Sequence, residues 1–274
     1  MVTETETETE RIHSDMSVHA TATATATATV GAGAGAGAGG QRRRRLEDLT
    51  ASGSWSEPAL QERCLGLLRT QGACILDTLV KPEVLKEAKE VVEPTLGKIA
   101  EKLRQSDQRL TEADKEAFFL VRAPPVEEGK TNVHFDEYES REHEAMEKLA
   151  QESQFSEIVS AYVGKPCSLY EAGASITTAG GNGMEWHRDG CWGECTVLMS
   201  LSNVPEDQGQ VGLIPGSHKN AVLNKTEDEE VSRETIESKA VWYPYRAGQP
   251  LLIDARTQHA VKKNVSDETR CILW

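Results

Sequence analysis

The chain has 274 residues, 38% hydrophobic and 27% charged, with a formal net charge of -14. That length carries one domain with its own core, and so acidic a surface repels phosphate backbones, which excludes nucleic acid as a natural partner. Six cysteines at irregular spacing (Cys64, Cys74, Cys167, Cys191, Cys195, Cys271) exclude a disulfide framework and point to a soluble, intracellular, cytoplasmic setting.

Residues 1–54 are built from simple repeats: Thr-Glu alternation, a Thr-Ala run to Thr29, Gly-Ala from Gly31, then Arg42 to Arg45. Such a segment buries too little apolar surface to offset its ordering entropy, so disorder is expected there. From Ser17 to Gln41 it carries no formal charge, yet Ala, Thr and Gly supply none of the Leu, Ile or Phe that drive insertion, so no stable membrane span is expected. The acidic first ten residues do not suit a secretory or organelle leader. The arginine cluster reads as a solvated run.

The folded part, residues 55–274, is expected to begin near Glu57-Pro58. Leu60, Cys64, Leu67 and Leu68 repeat at helical spacing up to Gly72, and Ala73 to Leu76 is a short apolar strand. Pro82 opens a second helix with its stripe at Val84, Leu85, Ala88, Val91 and Val92, continued by Leu96, Ile99 and Leu103. Between Gln105 and Glu142 the one strand read is Phe118 to Val121, and one helix is expected over Glu144 to Tyr162, ending at Gly164. After Pro166 the pattern turns to short strands: 167–178, 184–187, 195–203, 210–214, 240–246, 250–254, 259–264 and 270–274. Mainly β with flanking helices, as a sandwich or barrel, is the architecture this implies. The acidic run from Thr226 to Glu230 reads as a solvated insertion.

The chemistry concentrates in Met184-Glu185-Trp186-His187-Arg188-Asp189-Gly190. Residues two apart on a strand share a face, so His187 and Asp189 point one imidazole and one carboxylate the same way. With His259 as third ligand they make the two-His-one-carboxylate set of non-heme Fe(II) oxygenases. A His-x-Asp pair alone is more often structural than metal-binding. Arg270 follows His259 by eleven residues, and a strand, a turn at 264–267 and a returning strand bring it back beside that site, where its fork suits a dicarboxylate. Cys191 and Cys195 suggest a zinc site borrowing His187, but no second Cys or His pair follows at finger spacing. Near an oxidising metal these thiols are expected to be oxidation-sensitive.

Three ordered motifs, Trp186 to Asp189, Gly209 to Lys219 and Gly248 to Arg270, resemble the phytanoyl-CoA dioxygenase (PhyH-like) family of Fe(II)- and 2-oxoglutarate-dependent oxygenases, over about Leu60 to Trp274. The resemblance implies a double-stranded β-helix, the cupin-like jelly roll, with the metal at its mouth. It implies Fe(II) on His187, Asp189 and His259, 2-oxoglutarate paired with Arg270, dioxygen as oxidant and ascorbate as a helpful reductant. A hydroxyl from Ser175, Thr177, Thr178 or Thr196 assists, Thr178 and Thr196 being the choices carried forward as cosubstrate contacts. Many family members place a Lys on the strand before His-x-Asp, and none stands between Pro166 and His187. Related halogenases have a small residue where Asp189 stands, so hydroxylation of a small-molecule or lipid-like substrate, with release of succinate and carbon dioxide, is the implied reaction. Trp186, Arg188 and Trp192 border the ligands, as substrate walls or as packing, with Arg188 expected to point away from them. His218 reads as structural. Arg11-Ile12 and His19-Ala20 depart by one residue from the spacing of the family's amino-terminal peroxisomal signal, so peroxisomal import is not expected. A non-catalytic jelly-roll binding protein and a metal hydrolase on the same scaffold are the competing readings; neither uses Arg270.

Overall fold

A computed structural model describes residues 45–77, 79–105, 111, 113, 120–122, 130–135, 140–190, 192–219 and 237–274. Of the disorder expected over residues 1–54, residues 1–44 lie outside these described residues, as do the acidic run at Thr226 to Glu230 and the first half of the strand expected at Phe118 to Val121; residues 45–54 are ordered. The fold reaches further back than Glu57. A 3-10 turn, Leu46–Leu49, leads into β1 (Thr50–Ser52), which pairs in parallel with β2 (Ala73–Asp77). Leu49 and Ala51 are buried, so two side chains anchor a stretch that is polar in composition.

Helix α1 (Pro58–Gln71) buries Leu60, Cys64, Leu67 and Leu68, as its spacing predicts. It stops at Gly72, whose φ of 74° is the left-handed conformation that glycine adopts without steric cost. A Cβ there would collide with Thr257 Oγ1 and His218 Nδ1. Gly72→Ala is therefore expected to cost about 1–3 kcal/mol, lowering the melting temperature by roughly 3–10 °C. An unchanged melting curve would refute this steric account.

Helix α2 (Pro82–Gln105) presents the expected stripe. The single helix expected over Glu144 to Tyr162 is two, α3 (Arg141–Glu152) and α4 (Phe155–Val163), broken at Gln154, which has a φ of 56°. On one continuous helix Phe155 would stand roughly 120–140° from Leu149 and Ala150, off their stripe. Breaking the chain lets Phe155, Ile158 and Tyr162 join Met146 and Leu149 in one core.

The strands form three four-stranded sheets with the orders β1-β2-β10-β7, β12-β5-β4-β3 and β6-β11-β8-β9. Their members are β3 (Leu120–Arg122), β4 (Lys130–Phe135), β5 (Gly173–Thr177), β6 (Met184–His187), β7 (Cys195–Leu198), β8 (Val211–Leu213), β9 (Val241–Tyr243), β10 (Leu251–Asp254), β11 (His259–Val261) and β12 (Arg270–Leu273). An antiparallel bridge between Met199 and Leu273 joins the first two sheets. From β5 onward the chain passes back and forth between this joined sheet and the β6-β11-β8-β9 sheet, which is jelly-roll topology. The strand expected from Cys167 begins only at Gly173; before it, Leu169 and Tyr170 are exposed.

Alternation then decides which side chains face the interior. Leu251 and Ile253 of β10 enter one core with Ala73, Ile75 and Ile272, while Leu252, Cys74 and Leu273 join the helices in the other. By the same period Arg270 shares the face of Ile272. Thr177 and Ser175 share a face opposite to Ala174 and Ile176. No described helix is long and apolar enough to cross a membrane.

Candidate active site

His187 ends β6 and His259 opens β11, and the two strands pair with these residues directly opposite. Their rings lie 4.2 Å apart between centroids. Asp189 follows two residues after His187, its backbone N–H donating to Ala255 O at 2.9 Å. Asp189 Oδ1 stands 3.5 Å from His187 Nε2 and 3.4 Å from His259 Nε2. Each imidazole has its other nitrogen against a carbonyl: His187 Nδ1 at 2.7 Å from Glu185 O, His259 Nδ1 at 3.0 Å from Thr257 O. A carbonyl only accepts, so both Nδ1 atoms carry a proton; each Nε2 faces Asp189 Oδ1, donates to it when the ring is protonated, and offers its lone pair at the same point once that proton leaves. Thr196 Oγ1 donates to Asp189 Oδ2 at 2.8 Å, which turns Oδ1 toward the histidines.

Burial alone would raise the Asp189 carboxyl, but hydrogen bonds from His187 and His259 outweigh it and hold it well below the usual carboxylate range. Burial likewise pulls His187 down, and the Asp189 carboxylate and Glu185 carbonyl overcome it, so its pKa is raised. Two nitrogen donors and an anionic oxygen converge on one point, an arrangement whose chemistry suits a divalent cation. Among the described residues this is the one such cluster of three.

The site opens into a cavity of about 680 Å³. At its back lies Arg270, 2% exposed, with Nη1 donating to Gln208 O and Gly209 O and Nη2 to Thr177 Oγ1 at 2.9 Å. Its Nε is buried with no partner, and among the described residues no carboxylate pairs with it. Lys130, opposite Thr177 on β4, lines the same cavity. Burial, then the Arg270 charge, push its amine down to about 8. Two cations in one cavity beside the triad, with no ion pair to either among the described residues, suit a dicarboxylate.

A family model for phytanoyl-CoA dioxygenase (PhyH) matches residues 68–272. The chain belongs to the PhyH family. Among solved structures, the non-heme alpha ketoglutarate dependent epimerase SnoN from nogalamycin biosynthesis is similar at 20% identity and a TM-score of 0.57, over 79% of this chain and 82% of that one. AviO1 from Streptomyces viridochromogenes is similar at 18% identity and TM-score 0.55, over 78% and 92%. EctD from S. alaskensis, solved with 2-oxoglutarate and 5-hydroxyectoine, is similar at 17% and 0.54, over 87% and 83%. These likenesses show a shared fold. No curated protein sequence matches the chain. Family and donor set together make this PhyH protein an Fe/2-oxoglutarate oxygenase-type enzyme.

His187, Asp189, His259 and Arg270 all line the one cavity. The hydroxyls divide. Thr177 is the one that touches Arg270, Thr196 touches Asp189 instead, and Ser175 donates to Asn132 on β4. Thr178 lies one residue beyond β5; neither it nor Thr177 lines the cavity, and Thr177 meets Arg270 instead. Lys130 was not read from the sequence, although Lys130-Thr131-Asn132-Val133-His134-Phe135 alternates as a half-buried strand does, with Thr131, Val133 and Phe135 buried.

Trp186 meets Trp242 at 5.7 Å between ring centroids and the half-exposed Trp192 meets Tyr162 at 5.6 Å; neither lines the cavity. Arg188 points away as expected, Nη2 donating to Ser217 O. His218 is buried with Nε2 donating to Arg69 O, as a structural histidine. Cys191 lies outside the described residues. Cys195 lines the cavity, but burial pushes its thiol up to about 12, which leaves it protonated and weakly nucleophilic at neutral pH.

Proposed function

We propose that this chain oxidises a small-molecule or lipid-like substrate, hydroxylating it as 2-oxoglutarate is converted to succinate and carbon dioxide. The observation that carries this reading is the pairing of the His187–Asp189–His259 cluster, in one cavity, with a buried Arg270 that has no carboxylate partner among the described residues. His187, Asp189 and His259 would hold Fe(II) through Nε2, a carboxylate oxygen and Nε2. When bound, iron with 2-oxoglutarate and dioxygen supplies the oxidising power that opens a substrate C–H bond.

The protein's own residues do the rest. Arg270 receives the distal carboxylate, with Thr177 fixing the orientation of its fork. Lys130 adds a second positive charge on the same wall and draws the dianion out of water. Leu149, Phe155 and Val159 from the helices and Leu198 and Met199 from the sheet supply an apolar part of the wall, beside polar residues such as Asn132, Ser175 and Glu194. Asp189 would offer the metal a carboxylate where a small residue would offer none, which favours hydroxylation over halogenation. A binding protein or hydrolase would have no use for a buried cation behind the triad.

The test is turnover under labelled dioxygen. Protein with Fe(II), ascorbate and 2-oxoglutarate is incubated with a panel of fatty acids, amino acids and small cyclic metabolites, and succinate and products are read by mass spectrometry. One labelled oxygen in succinate and one in a product is expected; no binding of 2-oxoglutarate by calorimetry in the presence of Mn(II) would sink the proposal.

Lys130 makes the binding pH-dependent. With its amine down at about 8, it is charged below that pH and loses its charge above it. An anion beside it raises that value in the complex, so 2-oxoglutarate affinity should fall by about tenfold per pH unit above 8 until the complex's own pKa is reached. Calorimetry at pH 7 and pH 9.5 checks this, and Lys130→Met should bind more weakly at pH 7 with the dependence gone. Equal pH dependence in Lys130→Met would assign it elsewhere.

A further inference from the structure

The four-residue turn Asp254-Ala255-Arg256-Thr257 between β10 and β11 touches two of the three triad residues without belonging to the triad. Ala255 O accepts the backbone N–H of Asp189 at 2.9 Å and of Gly190 at 3.1 Å. Thr257 O accepts Nδ1 of His259 at 3.0 Å. One turn thus seats the main chain that carries the carboxylate and sets the tautomer of one imidazole; His187 has its own anchor in Glu185.

That turn is clamped from within. Asp254, 1% exposed, accepts at Oδ1 from the backbone N–H and Nε of Arg256, both at 2.9 Å, and at Oδ2 from Arg256 Nη2 at 2.7 Å and Tyr162 Oη at 2.6 Å. Thr257 N closes the turn on Asp254 O at 2.7 Å. Both Asp254 N and Thr257 Oγ1 donate to Gly72 O at the end of α1. The Arg256 guanidinium lies over Trp192 at 4.5 Å, and Trp192 in turn meets the Tyr162 ring. A carboxylate so fully buried needs both the fork and the phenol, and a lysine cannot reproduce the parallel pair.

We infer that Asp254 and Arg256 form a latch that positions Asp189 and His259 for metal binding, acting through the carbonyls of Ala255 and Thr257. The inference rests on the iron reading of the triad. Groups that orient metal ligands from behind commonly change metal affinity by about 10–100-fold when removed. Asp254 and Arg256 are positioning residues; neither lines the cavity.

The experiment titrates the metal-free protein with Co(II), following the visible absorption of the bound ion and its affinity by calorimetry, with no turnover involved. Asp254→Asn and Arg256→Lys are expected to bind Co(II) about 10–100-fold more weakly with an altered band envelope. Ile99→Ala, a buried substitution in α2, is expected to lower the melting temperature while leaving Co(II) affinity unchanged, so that lost stability is separated from lost positioning. Arg256 is partly exposed and keeps its charge as lysine, so that variant decides the matter if Asp254→Asn does not fold. Parent protein that binds no Co(II), or binds it equally in Asp189→Ala, overturns the iron reading and the latch with it. Parent protein that binds at the triad while both latch variants match it within twofold overturns the latch alone.

Discussion

Asp189→Ala is expected to abolish 2-oxoglutarate turnover, with succinate formation falling by more than about 100-fold. That bound exceeds what removal of an outer partner costs, because here the ligand itself goes. Asp189 is the anionic member of the cluster, and its carboxyl is held ionised, so a metal meets a charge that is already present. Alanine leaves two neutral imidazoles facing each other at 4.2 Å between centroids, a weaker site that both loses metal and opens a coordination position. Metal content after dialysis and succinate per minute are the two readouts. The fold should survive, since Asp189 is at the cavity edge and its backbone bond to Ala255 O is kept. A variant that retains metal and turnover would remove Asp189 from the ligand set.

The second large effect is expected at Arg270. Truncating one partner of a buried charge pair costs about 2–5 kcal/mol, so Arg270→Met should weaken 2-oxoglutarate binding by about 30-fold to several thousandfold. Arg270→Lys should recover little of this. A lysine presents no fork and cannot donate at once to Thr177 Oγ1, to the carbonyls of Gln208 and Gly209 and to a carboxylate. The metal should still bind in both variants, because no triad residue is bonded to Arg270, and this separates a cosubstrate defect from a metal defect. Calorimetry with Mn(II) and 2-oxoglutarate decides it; affinity within threefold of the parent in Arg270→Met would assign the buried cation to structure alone.

Much of the site is legible along the chain because its logic is local. The two-residue period of a strand separates Arg270 and Ile272 from Cys271 and Leu273, whereas β6 ends at His187 and Asp189, two residues on, is seated by the Ala255 carbonyl. Helix α1 and its stop at Gly72 follow from spacing and backbone preference. The family likeness adds His259 to the pair, which spacing alone does not compel.

Other features have no local signature. Choosing Thr177 over Thr178 depends on where β5 ends and on the register that sets Arg270 of β12 opposite Thr177, residues more than ninety positions apart. Lys130 reaches the cavity only because β4 lies beside β5, and the break at Gln154 arises because Phe155 is drawn into a core shared with α2. The latch is tertiary in the same sense: Tyr162, Asp254 and Asp189 come from three segments, and nothing in any one of them announces the others. By itself the sequence determined side-chain direction, helix stops and the chemical identity of the donors, since these depend on neighbours within a few residues. Which strands adjoin, and so which cation, hydroxyl and carbonyl surround the metal site, was decided by long-range sheet pairing and core packing, whose energy is paid out only once the distant surfaces meet.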